Sequence, residues 1–124
     1  MATIQVIEQG FHNYIIKVDG LGGDTNVVVV DPALLTPKCT RVRLMKIIFE
    51  VNSGALAELF WDATTPVSIV KGIPNNDNML EFYDFGGIPN NGGAGVTGKI
   101  TLTTTAANPY TIFIYCRKMD AFVN

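Results

Sequence analysis

The sequence predicts an all-β domain, an antiparallel sandwich or barrel of eight or nine short strands, and three observations carry that reading. β-Branched and aromatic runs of five to ten residues recur along the chain, punctuated by Gly, Pro, Asn and Asp. No stretch of a dozen residues has the 3.6-residue apolar period of a helix. A length of 124 residues, 48% hydrophobic and only 16% charged, suits one well-filled core and excludes both a disordered chain and a second domain. The whole chain, 1–124, therefore reads as a single domain.

Strands are expected at Thr3–Glu8, Asn13–Asp19, Asn26–Val30, Arg41–Val51, Ala55–Trp61, Val67–Lys71, Met79–Tyr83, Gly98–Thr105 and Pro109–Lys118. The eighth alternates cleanly, with Ile100 and Leu102 on one face and Thr101, Thr103 and Thr105 on the other, as a half-solvated antiparallel strand requires. Two others are apolar on both faces. In the last strand Tyr110, Ile112, Ile114 and Cys116 oppose Phe113 and Tyr115; in the fourth, Met45, Ile47, Phe49 and Val51 oppose Val42, Leu44 and Ile48. A two-faced strand lies either centrally in a core or at a subunit interface. Between strands, Asp31–Lys38 is bracketed by Pro32 and Pro37 and has room for at most one helical turn. The pentapeptide Gly-Ile-Pro-Asn-Asn occurs at 72–76 and again at 87–91, which reads as one turn chemistry used twice.

Charge and hydropathy narrow the function. Nine Lys and Arg against eleven Asp and Glu leave a net charge of −2 with the cations scattered, which disfavours nucleic acid as a partner. No apolar run approaches the ~20 residues that span a bilayer, and Met1–Val6 lacks the basic and apolar regions of a secretory signal, so production in a cytoplasm is expected. Cys39 and Cys116, far apart and outside any CxxC spacing, are expected to be reduced, buried thiols and not metal ligands.

The motifs that suggest chemistry each have a plainer explanation. Gly93-Ala94-Gly95-Val96-Thr97-Gly98-Lys99 matches a phosphate-binding glycine pattern, but a loop precedes it, a strand follows it, and Ile100 stands where a magnesium-binding hydroxyl belongs. His12 is the only histidine, and no serine occupies a nucleophile elbow. Glu50, Glu58, Asp62, Glu81 and Asp84 could supply a glycosidase pair, yet most alternate with apolar residues as a solvated strand face does. Asn75-Asn76-Asp77-Asn78 brings one carboxylate where calcium wants several. Trp61 is a stacking platform for a sugar or else an anchor in a core or interface. No enzyme activity, metal or cofactor is expected.

The run Gly54-Ala55-Leu56-Ala57-Glu58-Leu59-Phe60-Trp61-Asp62-Ala63-Thr64-Thr65-Pro66-Val67, followed by Gly86-Gly87-Ile88-Pro89-Asn90-Asn91 and the Thr-rich Gly98–Thr105, resembles small virion structural proteins of tailed bacteriophages. Among these it is most similar to capsid decoration, or cement, proteins built as β-sandwiches. The resemblance covers the C-terminal two-thirds or so of the chain and assigns no individual binding residue. It implies a protein of the virion's capsid surface that contacts the major capsid protein and copies of itself, as a trimer or hexamer, and stabilises the shell.

The resulting expectation is a β-sandwich of jelly-roll type acting as a non-enzymatic decoration protein. Its interface candidates are Trp61, Tyr110, Phe113, Tyr115, Arg117 and Phe122, because aromatic residues and Arg anchor interfaces. Arg41 and Arg43 are candidates for inter-subunit ion pairs, and the termini, 1–8 and 119–124, for docking arms. Two alternatives stand beside this: a tail or head–tail connector subunit, and a carbohydrate-binding sandwich of a phage fibre.

Overall fold

A computed structural model describes residues 2–51, 56–72, 78–104 and 109–119. Nine strands form, each on a segment where the sequence places one: β1 (Thr3–Gln9), β2 (Asn13–Gly20), β3 (Val27–Val30), β4 (Arg41–Val51), β5 (Ala57–Trp61), β6 (Val67–Gly72), β7 (Asn78–Glu81), β8 (Ile100–Thr104) and β9 (Tyr110–Met119). They make two sheets, one of five strands in the order β1-β2-β9-β4-β7 and one of four in the order β3-β8-β5-β6. All pairings are antiparallel.

The pairing is nested. Strand β2 pairs with β9, β3 with β8, β4 with β7 and β5 with β6, so the chain from β2 onward is one long folded-back ribbon with its tip at β5–β6. Rolling that ribbon brings β4 against β9 and β5 against β8, closing two sheets of four. This order is that of a jelly roll, and β1 is a ninth strand added outside it, on the edge of the larger sheet.

Period-two alternation fills the space between the sheets. In β5, Ala57, Leu59 and Trp61 are buried while Glu58 and Phe60 are half-buried on the other face. In β9, Tyr110, Ile112, Ile114 and Cys116 point inward, opposite Ile16, Val18, Leu44, Ile47 and Phe49 of the neighbouring strands, all buried. The inward series continues to Lys118, which is only 3% exposed. Its Nζ donates to the carbonyls of Thr36 and Pro37 at 3.0 Å each, which is what makes a buried ammonium tolerable there. A second buried polar contact joins the β2–β3 connection to the roll: the Tyr110 hydroxyl donates to Asp24 Oδ2 at 2.8 Å, and the Asp24 amide donates to Thr104 Oγ1 at 3.0 Å.

Connections behave as their residues dictate. Pro32–Leu34 makes a single 3-10 turn capped by the Asp31 carboxylate, which accepts from the Ala33 amide. A second such turn at Tyr83–Phe85 takes up the end of the strand expected to reach Tyr83; it follows β7 and ends on a left-handed Gly86. Among the described residues, no helix is long and apolar enough to cross a membrane.

Candidate interaction surface

The outer face of the five-stranded sheet is where the two-faced strands expose their second set of side chains. The register sets these in rows: Lys17, Phe113, Ile48 and Met79 lie side by side across β2, β9, β4 and β7, and the adjacent row is Ile15, Tyr115, Lys46 and Glu81. Ile15, Ile48, Phe113 and Tyr115 are half-buried and Met79 is 53% exposed. The result is an apolar and aromatic stripe edged by charge. The Lys46 ammonium lies 5.2 Å from the centre of the Tyr115 ring and 3.9 Å from Glu81, while Lys17 lies 3.7 Å from Asp19. Exposed ion pairs of this kind add little stability, so they leave the face available for a partner.

A bulge deepens one end of this face. Between Leu44 and Lys46 the β4–β9 register slips by one residue, leaving Met45 as the extra one. Met45 is buried, and its carbonyl accepts from the Phe82 amide at 2.8 Å. The Arg43 guanidinium forks onto the carbonyls of Gly86 and Gly87 at 2.8 and 2.9 Å, and Leu44 and Ile88 exchange backbone bonds at 3.0 and 2.9 Å. The turn at 83–85 is thus fastened to β4. Gly87 must be glycine here, because its φ is +92° and a Cβ would fall 2.5 Å from Met45 Sδ. Between that turn and β9 lies a groove of about 330 Å³ lined by Asn13, Ile15, Met45, Tyr83, Tyr115, Cys116 and Arg117. Replacing Arg43 with alanine removes both fork bonds and is expected to lower stability by about 1–2 kcal/mol, read as a shifted urea midpoint, with faster amide exchange at 82–88.

Of the six interface candidates, Phe113, Tyr115 and Arg117 share this outer face, with Arg117 exposed. Trp61 and Tyr110 do not belong to any surface: they are 1% and 4% exposed, drawn inward by the alternation of β5 and β9. That placement also removes Trp61 as a sugar-stacking platform, since stacking needs an open ring face. Phe122 lies outside the described residues, as do all but the first residue of the pentapeptide at 72–76 and most of the Asn-rich run at 75–78. Of the two flanking arginines, Arg43 serves the fork above and Arg41 stands exposed at the start of β4.

The remaining motifs are taken up by local structure. The glycine loop is fastened to the β5–β6 turn, with Thr64 N donating to Ala94 O at 3.1 Å, Thr97 N to Asp62 O at 3.1 Å, and Thr97 Oγ1 to Asp62 Oδ2 at 2.8 Å. Gly95 lies so close to Thr64 that a Cβ would meet its hydroxyl at 2.0 Å. The amides of Val96, Thr97 and Lys99 are thus engaged within the protein, and a strand, not a helix, follows the loop. Glu50 and Glu81 stand on the larger sheet, Asp84 in the turn after β7, and Glu58 and Asp62 on the smaller sheet and its turn. Cys39 and Cys116 are both buried thiols, and burial together with the neighbouring Cys39 pushes the Cys116 thiol well above its ordinary range.

Sequence comparison adds nothing to this. No protein-family model matches the chain, and no curated protein matches it either.

Proposed function

We propose that this protein is a non-enzymatic structural subunit of a virion, most simply a decoration or cement protein that binds the outside of a phage capsid shell. The observation that carries the proposal is the apolar, aromatic outer face of the larger sheet, where Phe113 and Tyr115 stand between Ile15, Ile48 and Met79. A monomer gains nothing from a second apolar face on its central strands, whereas a subunit of an assembly buries it. The jelly-roll order agrees by analogy with capsid and lectin domains, an analogy of fold and not of site. The partner is then the major capsid protein, met through Phe113, Tyr115 and Arg117 as central anchors.

Particles assembled without the protein, incubated with purified protein, supply the test. Saturation at on the order of hundreds of copies per head is expected, as repetition over a symmetric shell requires. Replacing both Phe113 and Tyr115 with serine should weaken binding by at least about tenfold while leaving the circular dichroism spectrum unchanged. Absence of binding overturns the proposal. Saturation at about six or twelve copies moves the protein to the tail axis instead.

A further inference from the structure

The two sheets are unequal, and the difference sits on one edge. Strand β1 closes the larger sheet beyond β2, and β3 closes the smaller one. Ile4 and Val6 pair with Val18 and Ile16, the inward-facing residues of β2, so both point to the side on which the smaller sheet lies. Among the described residues, the smaller sheet has no fifth strand to meet them. Ile4 is 40% and Val6 48% exposed, and all seven residues of β1 are exposed. Beneath the overhang is an apolar groove of about 190 Å³ lined by Ile4, Tyr14, Val28, Val29, Leu34 and Leu35, with Asp31 at its side. Val28 and Leu34 are 42% and 78% exposed on the β3 side. Gln9 is tied down across the gap, its Oε1 accepting from the Thr36 amide at 3.0 Å.

We propose that two copies of this chain join edge to edge in a two-fold half-lap, the β1 overhang of each filling the place beside β3 that the other leaves open. The geometry is self-complementary. One copy has one strand too many in its upper layer and one too few in its lower layer on the same edge. Rotation by half a turn about an axis along the strands exchanges both left for right and upper for lower. Each β1 then lies beside the partner's β3, giving two continuous sheets with five strands from one copy and four from the other. Ile4 and Val6 of both copies meet between the layers.

Three further features favour a second copy over any other occupant. A two-fold contact uses one patch twice, so a single sequence must supply overhang and gap together, as this one does. The open edge of β1 carries no Lys or Pro, the usual guards against strand pairing, and its single charge is Glu8, beyond the bulge at Ile7. Strand β3 is four valines with no charge to repel it. The proposal rests on the assembly reading above for its role, but it uses a different surface from the Phe113–Tyr115 face. With seven β1 residues, Val28 and Leu34 contributed by each copy, the joint is small beside the roughly 20–30 residues a side of a standard interface, so association should depend on concentration in the micromolar range.

Light scattering across a concentration series tests it. The expected mass is twice the 13.5 kDa of the chain, or a larger even multiple, falling to half when Ile4 and Val6 are both replaced by lysine. Both positions are exposed in the single copy, so the variant should keep its spectrum and melting temperature at low concentration. A mixture of copies carrying Gln5→Cys, which pairs with Lys17 on the outward face, with copies carrying Val28→Cys, which pairs with Thr101 on the outward face of the smaller sheet, should cross-link through a short bismaleimide. A monomer at all concentrations, a trimer, an even oligomer unmoved by the double lysine variant, or a mixture that does not cross-link each overturns the half-lap. Particle binding reports separately on the assembly reading: a dimer that fails to bind particles sinks that reading and leaves the joint, whereas a monomer that binds them does the reverse.

Discussion

Above about pH 10 the protein is expected to lose stability steeply, through groups that the core holds in their neutral forms. Burial, with a smaller contribution from Cys39, raises the Cys116 thiol above its ordinary value of 9.0. Burial and the neighbouring Cys116 raise Tyr14 above 10.0, and burial together with the hydrogen bond to Asp24 raises Tyr110 above 10.0. For each group the folded pKa exceeds the unfolded one, so its contribution is complete below the unfolded value and declines as pH rises toward the folded value. Each contributes a slope of at most about 1.4 kcal/mol per pH unit within that window. Cys116 sets the onset near pH 9 and the two tyrosines add to the slope from pH 10. Lys118, lowered by its burial, acts in the opposite sense below its ordinary 10.5, because there the unfolded chain binds the extra proton. Between pH 9 and 10 it is set against Cys116 alone, and above pH 10 against all three groups. Urea midpoints measured from pH 8 to 11 should therefore show no fall below pH 9, change little between pH 9 and 10, where Cys116 and Lys118 oppose each other, and fall clearly above pH 10; Cys116→Ala should make that fall shallower. A midpoint that stays level to pH 11 would refute the assignment.

Trp61→Ala is expected to cost about 3–5 kcal/mol, the range for removing a fully buried large aromatic side chain and leaving a cavity. For a domain of this size that is a fall of roughly 10–20 °C in melting temperature. Its neighbour Phe60, half-buried on the opposite face of β5, gives the contrast. Phe60→Ala should cost under about 2 kcal/mol, since that side chain loses only part of its burial. Calorimetry on the two variants separates a core tryptophan from a surface one. Near-equal losses would contradict the placement, and would restore Trp61 as a candidate for contact with a partner or a sugar.

Much of the fold is legible in local pattern. Nine segments of β-branched and aromatic residues become nine strands, because alternation decides which face is apolar and Gly, Pro and Asn end each run. The turn at Pro32–Leu34 follows from Pro32 at its start, the Asp31 cap before it and Pro37 just beyond it. The outer-face stripe is legible too, since a strand with Phe113 and Tyr115 opposite Ile112 and Ile114 must present one pair away from the core. Trp61 and Tyr110 show where reading residue type misleads. Aromatic character marks cores and interfaces alike, and only the parity of their positions, in step with Leu59 and Ile112, sends them inward. Counting by twos from Tyr110 would likewise have put Lys118 inside, against the expectation that a lysine faces water.

Strand positions, the apolar face of each strand and the two-sided character of β4 and β9 are properties of neighbouring residues, and the sequence by itself determines them. Partners across long separations are not. Nothing local in β2 specifies β9 almost a hundred residues away, nor says that β1 will stand beyond the roll with no strand beneath it. The Met45 bulge, the Arg43 fork and the Lys118 ammonium held by the Thr36 and Pro37 carbonyls belong to the same class. Each depends on which backbone groups meet when the ribbon closes, and that is decided by packing two sheets over one core, a condition no single segment carries.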